Sequence, residues 1–120
     1  MAVTTTKLKE GANEIWKLSG FATSGDASSW IRVPKHSDRN VHALGTFAGS
    51  ISLQVQGSNE ADQDIPTSGI PLRDSNETVI ALTAPDLVQI LENTEWIRVV
   101  ATAGTGGANA TVYLKFVRRP

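Results

Sequence analysis

The stretch Ser50-Ile51-Ser52-Leu53-Gln54-Val55-Gln56 alternates polar and apolar side chains at every step. Successive side chains of an extended chain point to opposite faces, so Ile51, Leu53 and Val55 share one side and Ser52, Gln54 and Gln56 the other. This is the pattern of a strand with one face on a core and one in water. Working outward, residues 41–47 read as the preceding strand, with Ala48-Gly49 as a tight connection. Residues 14–18 and 30–33 are earlier strands, the second stopped by Pro34 and preceded by the turn cluster at residues 24–29. On the other side, residues 78–82, 96–103 and 110–118 complete the set, and residues 104–109 are predicted to tip a hairpin between the last two. Ala84-Pro85-Asp86 predicts one short helix, with Pro85 in its first turn and Leu87, Ile90 and Leu91 on one face. About seven or eight short strands with regularly spaced turns predict an all-β fold, a compact β-sandwich or jelly-roll-like barrel.

Composition agrees with this reading. Thr, Val and Ile are plentiful, and leucine-rich helical stripes are missing. The 120 residues suit one domain. Surface scaling predicts roughly 6,300 Å² exposed when folded, against roughly 18,600 Å² unfolded, so a modest core closes without staples. Residues 1–13 are polar and threonine-rich and are predicted to form an extended N-terminal arm, leaving residues 14–120 as the sandwich domain. The tetrapeptide Trp-Ile-Arg-Val occurs at residues 30–33 and again at 96–99. The echo fits either a duplicated half-domain or two similar inner-sheet positions.

The absence of cysteine excludes disulfides, thiolate zinc sites and a cysteine nucleophile. A formal net charge of −1 removes the footprint of a general nucleic-acid binder. No apolar run reaches the length of a membrane span, and the start MAVTTTKLKE lacks the apolar centre of a signal peptide. His36 and His42 have only Asp38 nearby, too few ligands for zinc. No strained nucleophile turn accompanies the serines, and Gly104-Thr105-Gly106-Gly107 lacks the Lys-Ser/Thr of a phosphate loop. Glu60, Asp62 and Asp64 alternate in the polar segment 57–69 without the turn glycine and bidentate glutamate of a calcium loop. The expectation is therefore no catalytic, cofactor or metal site, and no enzyme activity.

Three segments, GTFAGSISLQVQGSNE at 45–60, LTAPDLVQILENTEWIRVVATAGTGG at 82–107 and ATVYLKF at 110–116, carry a resemblance. Together they resemble small structural proteins of tailed bacteriophage virions. In those proteins a strand ending Gly-Ser-Asn leads to a variable loop, an L-x-x-I-x-E-N segment, an aromatic-Ile-Arg-Val-Val strand, a glycine-rich turn and a last alternating strand. The matching positions are Gly57 to Asn59, Leu87 to Asn93 and Trp96 to Val100. Similar Gly-Ser-Asn strands occur in discoidin-like sugar- or lipid-binding sandwiches.

The resemblance implies a head decoration (cement) protein on the outer surface of the virion head, made in the host cytoplasm. Its implied partners are the major capsid protein or another virion protein, and further copies of itself, as a homotrimer. Neither nucleic acid nor membrane is an implied partner. An arm of Val3, Thr4, Thr5, Thr6, Lys7 and Lys9 suits strand addition to a neighbour's sheet edge. Glu60, Asp62, Asp64, Arg118 and Arg119 are further candidate partner contacts. The alternatives are another virion component, in the neck, tail or head-fibre base, and a sugar-binding sandwich using Trp16, Trp30 or Trp96 as a stacking platform.

Overall fold

The computed structural model describes residues 3–33, 36–60 and 65–118. It contains the strands β1 (Thr4–Lys9), β2 (Asn13–Thr23), β3 (Ile31–Arg32), β4 (Asp38–Thr46), β5 (Ser52–Ser58), β6 (Ile70–Pro71), β7 (Ala81–Leu82), β8 (Asp86–Ile90), β9 (Trp96–Ala103) and β10 (Thr105–Val117). One sheet has the order β1-β2-β10-β4-β8. The other has the order β3-β9-β5-β6, with β7 also paired to β5. All pairings are antiparallel. The sheets pack face to face as a jelly-roll-like sandwich, the all-β class that the alternation predicts.

The core follows from strand parity. Leu53, Val55, Val99 and Ile97 of the second sheet meet Leu18, Phe21, Val41, Val112, Leu114 and Phe116 of the first, all fully buried. Their parity mates Gln54, Gln56, Lys17, Tyr113 and Lys115 turn outward. The folded chain exposes 6243 Å² over its described residues, close to what the length predicts.

Four expectations change. Residues 84–91 form no helix. Asp86–Ile90 is strand β8, paired to β4 with Val41 opposite Val88 and His42 opposite Leu87. Val88 and Ile90 turn toward the core while Leu87 is 64% exposed, so the segment is read at period two. The main-chain groups on that side of β4 need a partner, and this pairing overrides the good helical propensity of Leu and Gln, which is worth only tenths of a kcal/mol per residue.

Residues 3–13, the described part of the expected arm, are not free either. Thr4–Lys9 is an edge strand of the molecule's own sheet, with Thr4 opposite Ser19 and Thr6 opposite Lys17. Val3 packs on the core. A β-prone segment beside an open strand gains its ladder hydrogen bonds within the chain, without waiting for a neighbour.

The last two strands do not form a hairpin. β9 and β10 lie in different sheets, as do β4 and β5. The stretch expected as a flexible tip, residues 105–109, is the start of β10. Three glycine-bearing corners meet where the chain crosses between sheets. Ser24 N–H donates to Gly104 O at 3.1 Å, and Thr105 N–H donates to Gly49 O at 3.0 Å. Gly49 has φ +61°, and a Cβ there would collide with the Gly106 carbonyl. Only glycine fits that approach.

Finally, the strand count is ten among the described residues, because the edge strands β1 and β8 and the short β6 join the seven expected from the sequence.

Candidate functional site

Strand parity builds a patterned surface on the outer face of the first sheet. Ile15 of β2, Tyr113 and Lys115 of β10, Asn40 and His42 of β4, and Leu87 of β8 line a shallow depression of about 350 Å³. Register places His42 between Tyr113 and Leu87, its direct neighbours on β10 and β8. The His42 and Tyr113 rings lie 6.4 Å apart in a tilted arrangement. A second depression of about 410 Å³ adjoins it, sharing Asn40 and Leu87 and adding Asp38, Arg39, Val88 and Gln89. Together they form an apolar floor rimmed by amides, an imidazole and an ammonium. Such a face suits a flat polar-apolar contact.

The space between the sheets is filled by side chains. Its largest fully buried member is Arg39, whose guanidinium donates from Nε to His36 O at 2.9 Å and from Nη2 to Val33 O at 2.8 Å. Burial pulls its pKa down to about 10. Nearby, the Glu14 carboxylate accepts from Trp16 Nε1 at 2.7 Å and lies 3.8 Å from His36 Nε2. His36 Nε2 also lies 3.1 Å from the Gly11 carbonyl. These contacts bind the end of the sandwich together. Among the described residues no group of three or more His, Asp or Glu side chains converges as metal ligands would.

The residues singled out from the sequence are dispersed. Thr4, Thr5, Thr6, Lys7 and Lys9 lie on β1, with Val3 just before it. Lys7 Nζ pairs with Glu10 at 3.1 Å and sits 5.1 Å from the Trp16 ring. Thr5 Oγ1 accepts from Ser29 N–H at 3.1 Å. Glu60 staples its own loop. Its carboxylate accepts from the Thr67 hydroxyl at 2.9 Å and from the Thr67 and Ser68 amides, which hold it below the usual carboxylate range. Arg118 N–H closes on Ala12 O at 2.7 Å. Asp62, Asp64 and Arg119 lie outside the described residues.

The three tryptophans are half-buried. On the outer face of the second sheet, Arg98 stacks over Trp30 at 4.5 Å and Arg32 over Trp96 at 5.8 Å. Arg98 donates to Gln56 Oε1 at 3.0 Å, and Gln56 donates to Gln54 Oε1 at 2.9 Å. Burial draws the Arg98 pKa down.

Sequence reasoning missed the depression. Its signal was available in the outward parity of His42 and Tyr113 on their strands, but it required the knowledge that β4, β10 and β8 are neighbours.

No family model matches the chain, and no curated protein sequence matches it. Solved structures do share its shape. The SPBc2 prophage-derived protein YomS superposes with a TM-score of 0.57 at 11% identity, covering 96% of this chain and 92% of that one. Peruvianin-I, described as a cysteine peptidase from Thevetia peruviana latex, gives a TM-score of 0.53 at 18% identity, covering 97% of this chain and 61% of that one. A cupin 2 domain-containing protein from Halorhodospira halophila gives 0.48 at 17% identity, covering 99% and 70%. At these identities the likeness to YomS and to Peruvianin-I is one of fold.

Proposed function

We propose that the chain is a virion structural protein, working by binding rather than by catalysis. In this reading it decorates the outside of a phage head as an oligomer and stabilises the shell. The observation that carries the reading is the outer face of the first sheet. There, Leu87, Ile15 and Tyr113 form an apolar floor on a rigid five-stranded sheet, rimmed by His42, Asn40 and Lys115. An apolar centre with a polar rim is the anatomy of a protein contact surface. Two further facts support it: the resemblance of residues 45–116 to phage virion proteins, and the prophage origin of YomS, which shares the fold.

A sugar-binding module must offer an open indole face. Trp30 and Trp96 each carry an arginine against the ring and Trp16 a lysine, so that reading ranks lower.

The test is co-sedimentation of the purified chain with undecorated heads and, separately, with tails. Saturable binding to heads is expected, and L87D should weaken it about tenfold or more while the fold persists, because Leu87 is an exposed side chain. Binding to tails alone would favour a neck, tail or fibre component. Binding to heads that L87D leaves unchanged would remove this face from the account.

A further inference from the structure

The fold lays the two Trp-Ile-Arg-Val segments against each other. Ile31 pairs with Ile97 and Arg32 with Trp96 in antiparallel register, and Val33 N–H donates to Glu95 O at 2.8 Å. The contacts are reciprocal. Both isoleucines are buried in the core, while on the outer face Arg32 covers Trp96 and Arg98 covers Trp30. This sequence is therefore complementary to an antiparallel strand of the same sequence.

β9 uses both of its edges, on β3 and on β5. β3 uses only one, and no described strand lies on its other side. Main-chain groups alternate in direction along an antiparallel strand. Because the Val33 amide faces β9, that of Arg32, its neighbour in β3, faces the open edge.

We infer that this open edge takes a second copy of the chain, β3 pairing antiparallel with its own counterpart about a two-fold axis through Ile31. Trp30 then stands opposite Arg32 of the second copy, and Arg32 opposite that copy's Trp30. The register repeats the one seen inside the molecule. Across the junction the outer face carries Arg98, Trp30, Arg32 of the second copy and Trp96 of the second copy in one row, with an identical row by symmetry. Each guanidinium lies beside an indole, a favourable cation–π arrangement.

Arg32 suits this role. It is already neutralised by Glu95 at 2.7 Å and laid over Trp96, whereas a charge that guards an edge against pairing stands free. The Ser29–Thr5 hydrogen bond holds β1, an edge of the other sheet, beside β3. Both sheets thus contribute to the covered surface. Such an isologous contact closes at two subunits.

The test uses the full chain alone and is independent of any virion partner. Sedimentation equilibrium across a concentration series should give twice the 12.8 kDa chain mass. R32P removes the amide turned to the open edge, and R32E sets an anion against the second copy's indole. Each should weaken dimerisation about tenfold or more while circular dichroism is unchanged. Should proline disturb the fold, R32E keeps the backbone and decides alone. A monomer at every concentration, a trimer, or an R32E variant that dimerises as tightly as the parent would overturn the inference.

Discussion

Arg39 shows how one residue sets the stability of an end of the sandwich. Its guanidinium gathers the carbonyls of Val33 and His36, which flank residues 34–35, and it lies 6.0 Å from the Phe116 ring. R39A would strip two buried carbonyls of their donor and leave a cavity, so urea denaturation should show a loss of about 3 kcal/mol or more. A loss within experimental error would mean that the guanidinium contributes nothing to the fold. Asp26 acts through charge. Its carboxylate accepts from the amides of Ala22 at 2.8 Å and Thr23 at 3.0 Å, and the Ala22 bond is the main cause of its lowered pKa. A carboxyl whose folded pKa is depressed stabilises fully above its unfolded value, near pH 4, and loses that contribution as pH falls through the folded value. D26N should therefore be less stable than the parent at neutral pH, with the gap closing in acid. A gap that stays constant from pH 7 into strong acid would contradict the assignment.

At the scale of elements, the sequence was most legible where alternation is uninterrupted. β5, β9 and the part of β10 from residue 110 onward follow from their own residues because the two faces of each strand meet different surroundings. β8 was misread for a physical reason: Leu87, Ile90 and Leu91 satisfy a helical stripe, while Val88 and Ile90 satisfy a strand, and only the open side of β4 decides between them. The two readings predict different mutational patterns. In the strand, I90A should cost about 2–4 kcal/mol, whereas L87N should shift stability by no more than about 0.5 kcal/mol. Comparable losses at both positions would restore the helical face. The sheet crossings after β4 and β9 were hidden as well, since a short glycine-bearing connection serves a hairpin or a corner equally. Contacts between Gly49, Gly104 and Thr105, far apart in the chain, select the corner.

At the scale of the whole molecule, two flat outer faces emerge with different chemistry. The first sheet presents an apolar depression rimmed by Lys115, His42 and Asn40. The second presents paired tryptophans and arginines, with its edge strand open. The sequence already pointed to a protein that acts through its surfaces. It placed the contacts on an arm and on loops, whereas the fold absorbs the arm into β1 and ties Glu60 into its own loop. The residues that line the depression are spread over four strands, and their convergence depends on the sheet order, which no local pattern encodes. The most direct measurement of the central claim is electron cryomicroscopy of undecorated phage heads mixed with the purified chain. The account predicts regular, saturable density on the outer shell that contacts it through the β4–β10–β8 face and raises the shell's heat resistance. Heads that stay bare at saturating protein concentration would contradict it.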